Sequence, residues 1–248
     1  MAESIIYLDC GSGAGGDMLL AALLGLGEPR AWAAALTRAL RLPPRTVRMR
    51  RRAVRSLSGW QCQVEASAPR VASLDAFGIV LRRSQLSPQV QRSAGRMLRV
   101  LARAEHRVHQ GTRDAHHVHE LGRMDTLVAM AGCAWAMERL QVRRLMVGPI
   151  PLGSGWMASE GGVLPNPGPA VLELLRGFPV VVTACRAELV TPTAAAILRV
   201  LAVPVSATQQ FSYHTVGYGV GTRMIAGMPG VVRMCIGASS HGSTPVRR

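Results

Sequence analysis

Short apolar runs alternate along the chain with longer segments in which apolar residues recur every three or four positions. A short unbroken apolar run is typical of a buried strand, and a period near 3.6 is typical of a helix. The runs predict strands at about 4–9, 46–54, 60–66, 144–152 and 178–183. The periodic segments predict helices at about 18–24, 29–40, 73–82, 87–108, 125–140, 169–176 and 192–201. Strands that alternate with helices indicate an α/β fold, with mixed α+β as the alternative.

The chain is predicted to form a single domain over residues 1–237, followed by a polar, disordered tail at 238–248. Asp17 is predicted as the N-cap of the first helix, and Pro29 is predicted to open the second. Residues 153–170 are rich in glycine and proline and are predicted to form a loop. A loop of this length inside a compact domain is typically functional or disordered.

The apolar runs are too short for a membrane-spanning helix. The longest, at 127–137, has eleven residues, whereas a span needs roughly 20. The first ten residues, MAESIIYLDC, lack the basic region and the long apolar stretch of a signal peptide. These features predict a cytoplasmic protein without a membrane partner, and they leave a homo-oligomer open.

The formal charge of the chain is +15 at pH 7, from 29 basic and 14 acidic residues. Every basic residue is arginine, and only residues 45–55 concentrate them. That segment contains no aromatic residue, whereas single-stranded nucleic acid binds to aromatic side chains combined with basic ones. The composition therefore favours a solvated face that attracts anions over specific nucleic-acid binding. The absence of lysine excludes a P-loop lysine and a Schiff-base lysine.

The five cysteines are odd in number, widely separated and never arranged as C-x-x-C. This spacing argues against a disulfide framework and against a thiolate zinc site. They are predicted to be core thiols.

Gly11, Gly13 and Gly16 form a G-x-G-x-x-G pattern between a predicted strand and a predicted helix. In a dinucleotide-binding unit, an acidic residue follows such glycines after roughly 20 residues. Residues 30–45 contain no acid, so dinucleotide binding is not favoured. The pattern can instead be a glycine turn capped by Asp17, or a cradle in which backbone N–H groups at a helix N-terminus bind an anion.

A histidine-rich segment, HHVHE, precedes the helix predicted at 125–140. In an extended chain, His117 and His119 point to the same face and can bind one metal ion. Glu120 and Asp125 are close enough in sequence to support them, and His109 shares a helix face with His106. Imidazoles without nearby thiolates favour nickel, zinc or copper. A solvated connector, with Asp125 as a simple N-cap, is the alternative.

Several other polar residues are candidates with a structural alternative. Thr191 and Thr193 stand at a predicted helix start, where a threonine cap before proline is expected on structural grounds alone. Glu188 is a carboxylate in a chain with few acids, and the glycine-rich run at 216–223, which ends in Arg223, fits either a ligand-binding edge or a hairpin.

Taken together, these motifs resemble those of the LarC nickel-insertion family and follow the same order. They are Asp9 with SGAGGDM (12–18), AEHRVH (104–109), VHELGRMD (118–125), PIPLGSG (149–155), GGVLPNPGPA (161–170), ELVTPTAAA (188–196) and GYGVGTR (217–223). The resemblance covers residues 5 to 236 and identifies the glycines as the family's Ser-Gly-x-x-Gly-Asp-Met turn. It implies insertion of nickel into a pyridinium bis-thiocarboxylate mononucleotide in a CTP-dependent reaction.

The resemblance also directs the site assignments. His117 and His119 are expected to bind nickel with His109, Glu120 and Asp125 in support. The phosphate of the mononucleotide is expected near Asp9 and the turn, because a helix N-terminus offers backbone donors to an anion. The residues of the turn that carry this expectation are Ser12, Gly13, Gly16 and Asp17, and Asp17 is expected to orient the turn.

The chain departs from the family pattern at three positions. Gly161 stands where the family usually has histidine, Ala129 where it has a second aspartate, and Met224 where it has an acid. Family members also continue into a C-terminal domain associated with the nucleotide. The chain is therefore expected to act as an N-terminal domain or subunit with a separate C-terminal partner that holds CTP, or else as a non-catalytic metal-binding or scaffolding relative.

Overall fold

A computed structural model describes residues 4–65, 74–108, 123–159, 162–206 and 211–238. The strands in these residues are β1 Ser4–Asp9, β2 Val47–Val54, β3 Leu57–Val64, β4 Arg144–Val147, β5 Ile150–Leu152, β6 Trp156–Ser159, β7 Gly162–Pro165, β8 Val180–Val182, β9 Ala202–Pro204, β10 Ser212–Val220 and β11 Val231–Ala238. The helices are α1 Gly16–Gly25, α2 Pro29–Ala39, α3 Leu74–Arg83, α4 Pro88–Val108, α5 Met124–Arg139, α6 Pro169–Leu174 and α7 Pro192–Leu201.

Seven of these strands form one mixed sheet in the order β2-β3-β10-β11-β1-β4-β9. Strands β1, β4 and β9 run parallel, whereas β11 is antiparallel to both β1 and β10. The short strands form two further pairs, β5 with β8 and β6 with β7. Helices and strands of this kind confirm the predicted α/β fold.

Helix α1 lies directly against the sheet, and its residues from Met18 to Leu24 are all buried. Gly217 and Gly219 of β10 allow this close approach. A Cβ atom on Gly217 would lie 2.2 Å from the carbonyl oxygen of Ala22, and one on Gly219 would lie 2.0 Å from that of Met18. The glycine-rich run at 216–223, for which the sequence allowed either a ligand-binding edge or a hairpin, therefore includes the strand residues against which α1 packs.

Helix α5 forms the centre of the helical layer. Every residue from Thr126 to Met137 is buried. A Cβ atom on Gly132 of α5 would lie 2.7 Å from Cδ1 of Leu20, so the glycine lets this side chain of α1 pack closely against α5. Helix α4 is amphipathic and buries the apolar face that contacts α5 and α7. This arrangement holds the N-termini of α1, α5 and α7 on the same side of the core.

Several predicted boundaries were wrong. The apolar segment 144–152 forms two strands in different sheets, because Gly148 and Pro149 interrupt it. The predicted loop at 153–170 contains the β6–β7 hairpin. The predicted disordered tail began at residue 238, which is instead the last residue of β11, and residues 239–248 lie outside the described residues.

The cysteine prediction holds for three of the five residues. All five are free thiols, and Cys10, Cys62 and Cys133 are buried. Cys185 and Cys235 are partly exposed instead, so they are not core residues.

Within the described part of the chain, no single helix is both long and apolar enough to cross a membrane. Only α1 and α2 taken together reach the required length and composition, and they are bent by 119° where they join.

Candidate functional site

A cavity of about 680 Å³ lies where the chain leaves the carboxyl end of β1. The turn after β1 and the start of α1 form one wall. The end of β3, the first turns of α5 and α7, Glu105 of α4 and the residues that follow β10 form the others. Segments that are distant in sequence therefore meet at one site.

Backbone hydrogen bonds fix the turn to the segment that precedes α7. The N–H of Ala14 donates to the carbonyl oxygen of Leu189 at 2.7 Å, and the N–H of Thr191 donates to the carbonyl oxygen of Ala14 at 3.1 Å. Gly13 has a φ of +96°, and a Cβ atom there would lie 2.2 Å from the Leu189 oxygen. Only glycine fits this position, which explains the Gly13 of the motif.

Three helices begin at the cavity wall. A Cβ atom on Gly16, the first residue of α1, would lie 2.8 Å from Cγ2 of Thr193 in α7 and 3.0 Å from Cβ of Ala129 in α5. The hydroxyl groups of Thr193 and Thr126 lie 3.4 Å apart across the same junction. The first N–H groups of a helix have no partner within the helix and carry partial positive charge. The cavity therefore combines the positive ends of α1, α5 and α7.

Carboxylates are concentrated at the same cavity. The chain has 14 acidic residues, and five of them line it. These five are Asp17, Glu65, Glu105, Asp125 and Glu188. The chain as a whole is strongly basic, with 29 arginines, so the cavity differs from the rest of the chain in being rich in acidic side chains.

Arginines pair with three of these carboxylates. Arg48 lies 2.7 Å from Glu65, Arg123 lies 3.0 Å from Asp125, and Arg223 lies 2.9 Å from Glu188. In each pair the arginine is the more exposed side chain. Pairs of this kind contribute only about 0–1 kcal/mol when solvated, so a charged ligand can compete for either partner.

Asp17 is a partly buried carboxylate at the start of α1. Burial raises the pKa of its carboxyl group, while hydrogen bonds from the backbone of Met18 and from Thr222 oppose this shift. The Thr222 hydroxyl donates to Oδ2 of Asp17 at 3.3 Å. The helix begins at Gly16 with Gly15 as its N-cap, so the prediction of Asp17 as N-cap was wrong. Asp17 instead joins α1 to the segment after β10.

Asp125 and Thr191 occupy helix starts. The N-cap of α5 is Arg123, and Asp125, one residue inside the helix, accepts a hydrogen bond from the N–H of Thr126 at 2.8 Å. Asp125 is therefore not the N-cap. Thr191 is the N-cap of α7, and its hydroxyl accepts from the N–H of Ala194 at 3.2 Å, as the sequence predicted.

Asp9 does not line the cavity. Its carboxylate accepts from the N–H of Gly11 at 3.0 Å and from Nε of Arg233 on β11 at 2.9 Å. Arg233 is the cross-strand partner of Asp9, so these contacts join the start of the turn to β11 and leave Asp9 as a residue that positions the turn.

The predicted nickel ligands His109, His117, His119 and Glu120 lie outside the described residues. Within the part of the chain that the structure describes, no three histidine, cysteine, aspartate or glutamate side chains group closely enough to hold a metal ion. The thiol of Cys62 lines the cavity, and burial raises its pKa to about 12. Near neutral pH this group is therefore a neutral thiol in the metal-free protein.

Two of the three departures from the family pattern can be located. Ala129 lines the cavity one helical turn after Asp125, so an apolar methyl group stands where the resemblance predicts a carboxylate. Met224 is exposed and follows Arg223. Gly161 lies outside the described residues.

The sequence did not point to several residues that line the cavity. Glu65 directly follows β3 and Glu105 belongs to α4, whereas Thr126 and Thr222 are polar residues next to residues that were singled out. The small number of acidic residues in the chain was the sequence feature that could have pointed to these glutamates. It could not be used without the fold, because the acids stand on elements far apart in sequence.

The fold and this cavity define an α/β protein with an acid-lined cavity at the end of its first strand. The chain belongs to the nickel insertion protein family, whose model matches residues 6–246. A protein of Nocardioides named "Pyridinium-3,5-bisthiocarboxylic acid mononucleotide nickel insertion protein" is 35% identical over 232 residues, which cover 93% of this chain and 59% of that protein.

Two further relatives carry the name "Putative nickel insertion protein". The one from Syntrophobacter fumaroxidans is 33% identical over 95% of this chain and 61% of its own length. The one from Thermomicrobium roseum is 39% identical over 94% of this chain and 58% of its own length. The chain thus spans about 60% of the length of these relatives. No solved structure matches it significantly.

Proposed function

We propose that this protein inserts nickel into a pyridinium bis-thiocarboxylate mononucleotide, as the N-terminal part of a CTP-dependent system. The observation that carries the proposal is the cavity at the end of β1, which five carboxylates and three helix N-termini border together. Insertion needs a cation and an anionic organic ligand in the same place. A cavity with negative side chains and positive helix ends offers partners to both.

We assign the nickel ion to His117 and His119, with His109, Glu120 and Asp125 as supporting ligands. Two described residues support this assignment from either side of the histidine segment. Glu105, four residues before His109, lines the cavity, and so does Asp125, six residues after His119. Imidazole and carboxylate are suitable ligands for a divalent transition metal, and nickel is the substrate of the reaction here.

We assign the phosphate of the mononucleotide to the turn of Ser12, Gly13 and Gly16. The N–H groups of Gly13 and Ala14 already donate to backbone carbonyl oxygens, and those of Asp17 and Met18 donate to the Asp17 carboxylate, so we propose the N–H groups of Ser12 and Gly16 as the donors. Asp17 accepts hydrogen bonds near this end of α1 and stabilises the turn, whereas a carboxylate in contact with the phosphate would repel it. A bound structure with the phosphate away from this turn would contradict the assignment.

The nucleotide CTP and a C-terminal partner remain part of the proposal. The resemblance associates CTP with a domain that follows this one in family members, so the partner is expected to bring the nucleotide to the cavity. Glu188, Thr193 and Arg223 line the cavity on the side of α7 and the segment after β10, and they are the candidates for contact with the organic ligand.

Nickel titration tests the metal assignment. Replacing His117 and His119 together with alanine should abolish stoichiometric binding measured by calorimetry, because the same-face pair is lost. His214→Ala removes an exposed histidine of β10 and serves as the control, with binding equal to that of the unmodified chain. The assignment is wrong if the double variant titrates like the unmodified chain.

A further inference from the structure

A second cavity of about 680 Å³ adjoins the first. It lies between residues 185–188, which precede α7, and residues 223–228, which follow β10. Glu188, Arg223 and Ile225 line both cavities. The ion pair between Glu188 and Arg223 therefore stands at the boundary between the two spaces.

The second cavity has a different chemical character from the first. Two guanidinium groups, those of Arg186 and Arg223, stand beside an apolar and sulfur-containing surface. That surface consists of Cys185, Met224, Ile225, Ala226 and Met228. Thioether sulfur packs favourably on aromatic rings, and guanidinium binds carboxylate groups through paired hydrogen bonds. A planar aromatic ring that carries anionic groups matches both parts.

Arg223 is held in place by Glu188 and still faces solvent. Its Nη1 donates to Oε2 of Glu188 at 2.9 Å. The Arg223 side chain is 74% exposed, whereas that of Glu188 is only 14% exposed. A guanidinium group has five N–H donors, so Arg223 can keep its contact with Glu188 and bind a second anion on its outer edge.

We infer that the second cavity binds the aromatic end of the substrate, a planar ring with two carboxylate-like groups, and that Arg223 holds one of those groups at the boundary with the first cavity. This inference rests on the proposed function, in which the ring is the pyridinium bis-thiocarboxylate. The hydrogen bond from Thr222 to Asp17 joins this boundary to the turn assigned to the phosphate. The two ends of one mononucleotide would then lie at neighbouring places.

Protection of Cys185 against alkylation tests the inference without an activity assay. Cys185 lines the second cavity, and Cys235 of β11 is the other partly exposed cysteine, so the two can be compared in one sample by mass spectrometry. The probe is pyridine-3,5-dicarboxylate, which carries the ring and both anionic groups without sulfur or nucleotide. It should slow the alkylation of Cys185 and leave the rate at Cys235 unchanged.

Variants make the test specific. Arg223→Gln should raise the probe concentration needed for half protection by about tenfold or more, because a charge-assisted contact is lost. Arg96→Gln removes the same charge from an exposed position of α4 and should leave protection unchanged. Equal protection of both cysteines, or equal protection by the uncharged pyridine-3,5-dicarboxamide, would overturn the inference.

The outcome is separable from that of the nickel titration. Loss of protection with intact nickel binding would remove the ring site and leave the metal assignment standing. Protection with nickel binding that does not depend on His117 and His119 would remove the metal assignment and leave the ring site standing.

Discussion

Gln141 adopts a backbone conformation that glycine usually occupies. It follows Leu140, the C-cap of α5, and has a φ of +53°. Its N–H donates to the carbonyl oxygen of Glu138 at 3.0 Å, and the N–H of Val142 donates to that of Met137 at 3.0 Å. These two bonds form a Schellman motif, in which the residue after the C-cap is left-handed. The end of α2 repeats the motif with Arg41 at the same position.

Gln141→Gly should therefore stabilise the protein. The left-handed conformation costs a residue with a side chain about 1–2 kcal/mol, and the greater freedom of glycine in the unfolded chain offsets about 0.4–1 kcal/mol of that. We expect the free energy of unfolding, measured by chemical denaturation, to rise by about 0.5–1 kcal/mol. Gln141→Ala, which keeps a Cβ atom, should leave it nearly unchanged. A fall in stability with glycine would contradict this account.

At the scale of elements, the contact between α1 and β10 decides where the cavity forms. Helix α1 can start at the turn and still lie flat on the sheet only because β10 has glycine at two positions that face it. The same packing fixes the N-terminus of α1 beside those of α5 and α7. The glycines of β10 thus act on the site through the position of a helix.

Gly219→Ala tests this packing. The new Cβ atom would lie 2.0 Å from the carbonyl oxygen of Met18 and 2.8 Å from the backbone nitrogen of Ala22, so α1 must move. Overpacking of a core typically costs 1–3 kcal/mol, and we expect about 3 kcal/mol in thermal or chemical unfolding. Gly168→Ala is the matched control, because nothing lies within 4 Å of a Cβ atom there. Equal effects of the two changes would show that the close approach does not matter.

The sequence predicted the helices and strands better than it predicted which of their residues come together in the fold. Apolar periodicity located α2, α4 and α7 to within two residues at each end, because a buried helical face leaves a direct pattern. The same approach missed β10 and β11 as strands, since glycines interrupt the apolar pattern of β10 and its role depends on α1. For the site, the motifs pointed to Asp17, Asp125, Glu188, Thr193 and Arg223, which all line the first cavity. Glu65 and Glu105 were not singled out as site residues, although Glu105 lies in the AEHRVH motif, because only the fold brings them to the cavity.

At the scale of the whole molecule, the proposed function allows two cases: the chain completes nickel insertion, or it binds nickel without completing insertion. The resemblance assigns the nucleotide to a C-terminal domain, and the relatives are longer than this chain. Ala129 removes a polar group from the cavity wall. The loss of one pre-organised polar contact commonly costs about 2.7–4 kcal/mol of transition-state stabilisation.

We expect the 248 residues to bind nickel without completing CTP-dependent insertion. The measurement is mass spectrometry of the mononucleotide after incubation with nickel and CTP, with and without the C-terminal domain of a longer relative. Product only with the added domain would support the role as an N-terminal part, and no product in either case would support the non-catalytic alternative. Multiple turnovers by this chain alone would overturn the expectation.

The gathering of five carboxylates in a chain of charge +15 has a consequence for the two ligands of the proposed function, because a divalent cation and an anionic mononucleotide would experience different fields as they approach. Outside the cavity but within a Debye length of about 8–10 Å from the surface, an arriving ion would experience mainly the net charge, which attracts an anionic mononucleotide and repels a divalent cation. Only within the cavity does the local field favour the cation. Dissolved salt therefore acts in opposite directions on the two encounters: it slows capture of the mononucleotide and eases entry of the metal. A bound anion would screen the same repulsion, so the organic ligand that arrives first helps to admit the metal that follows.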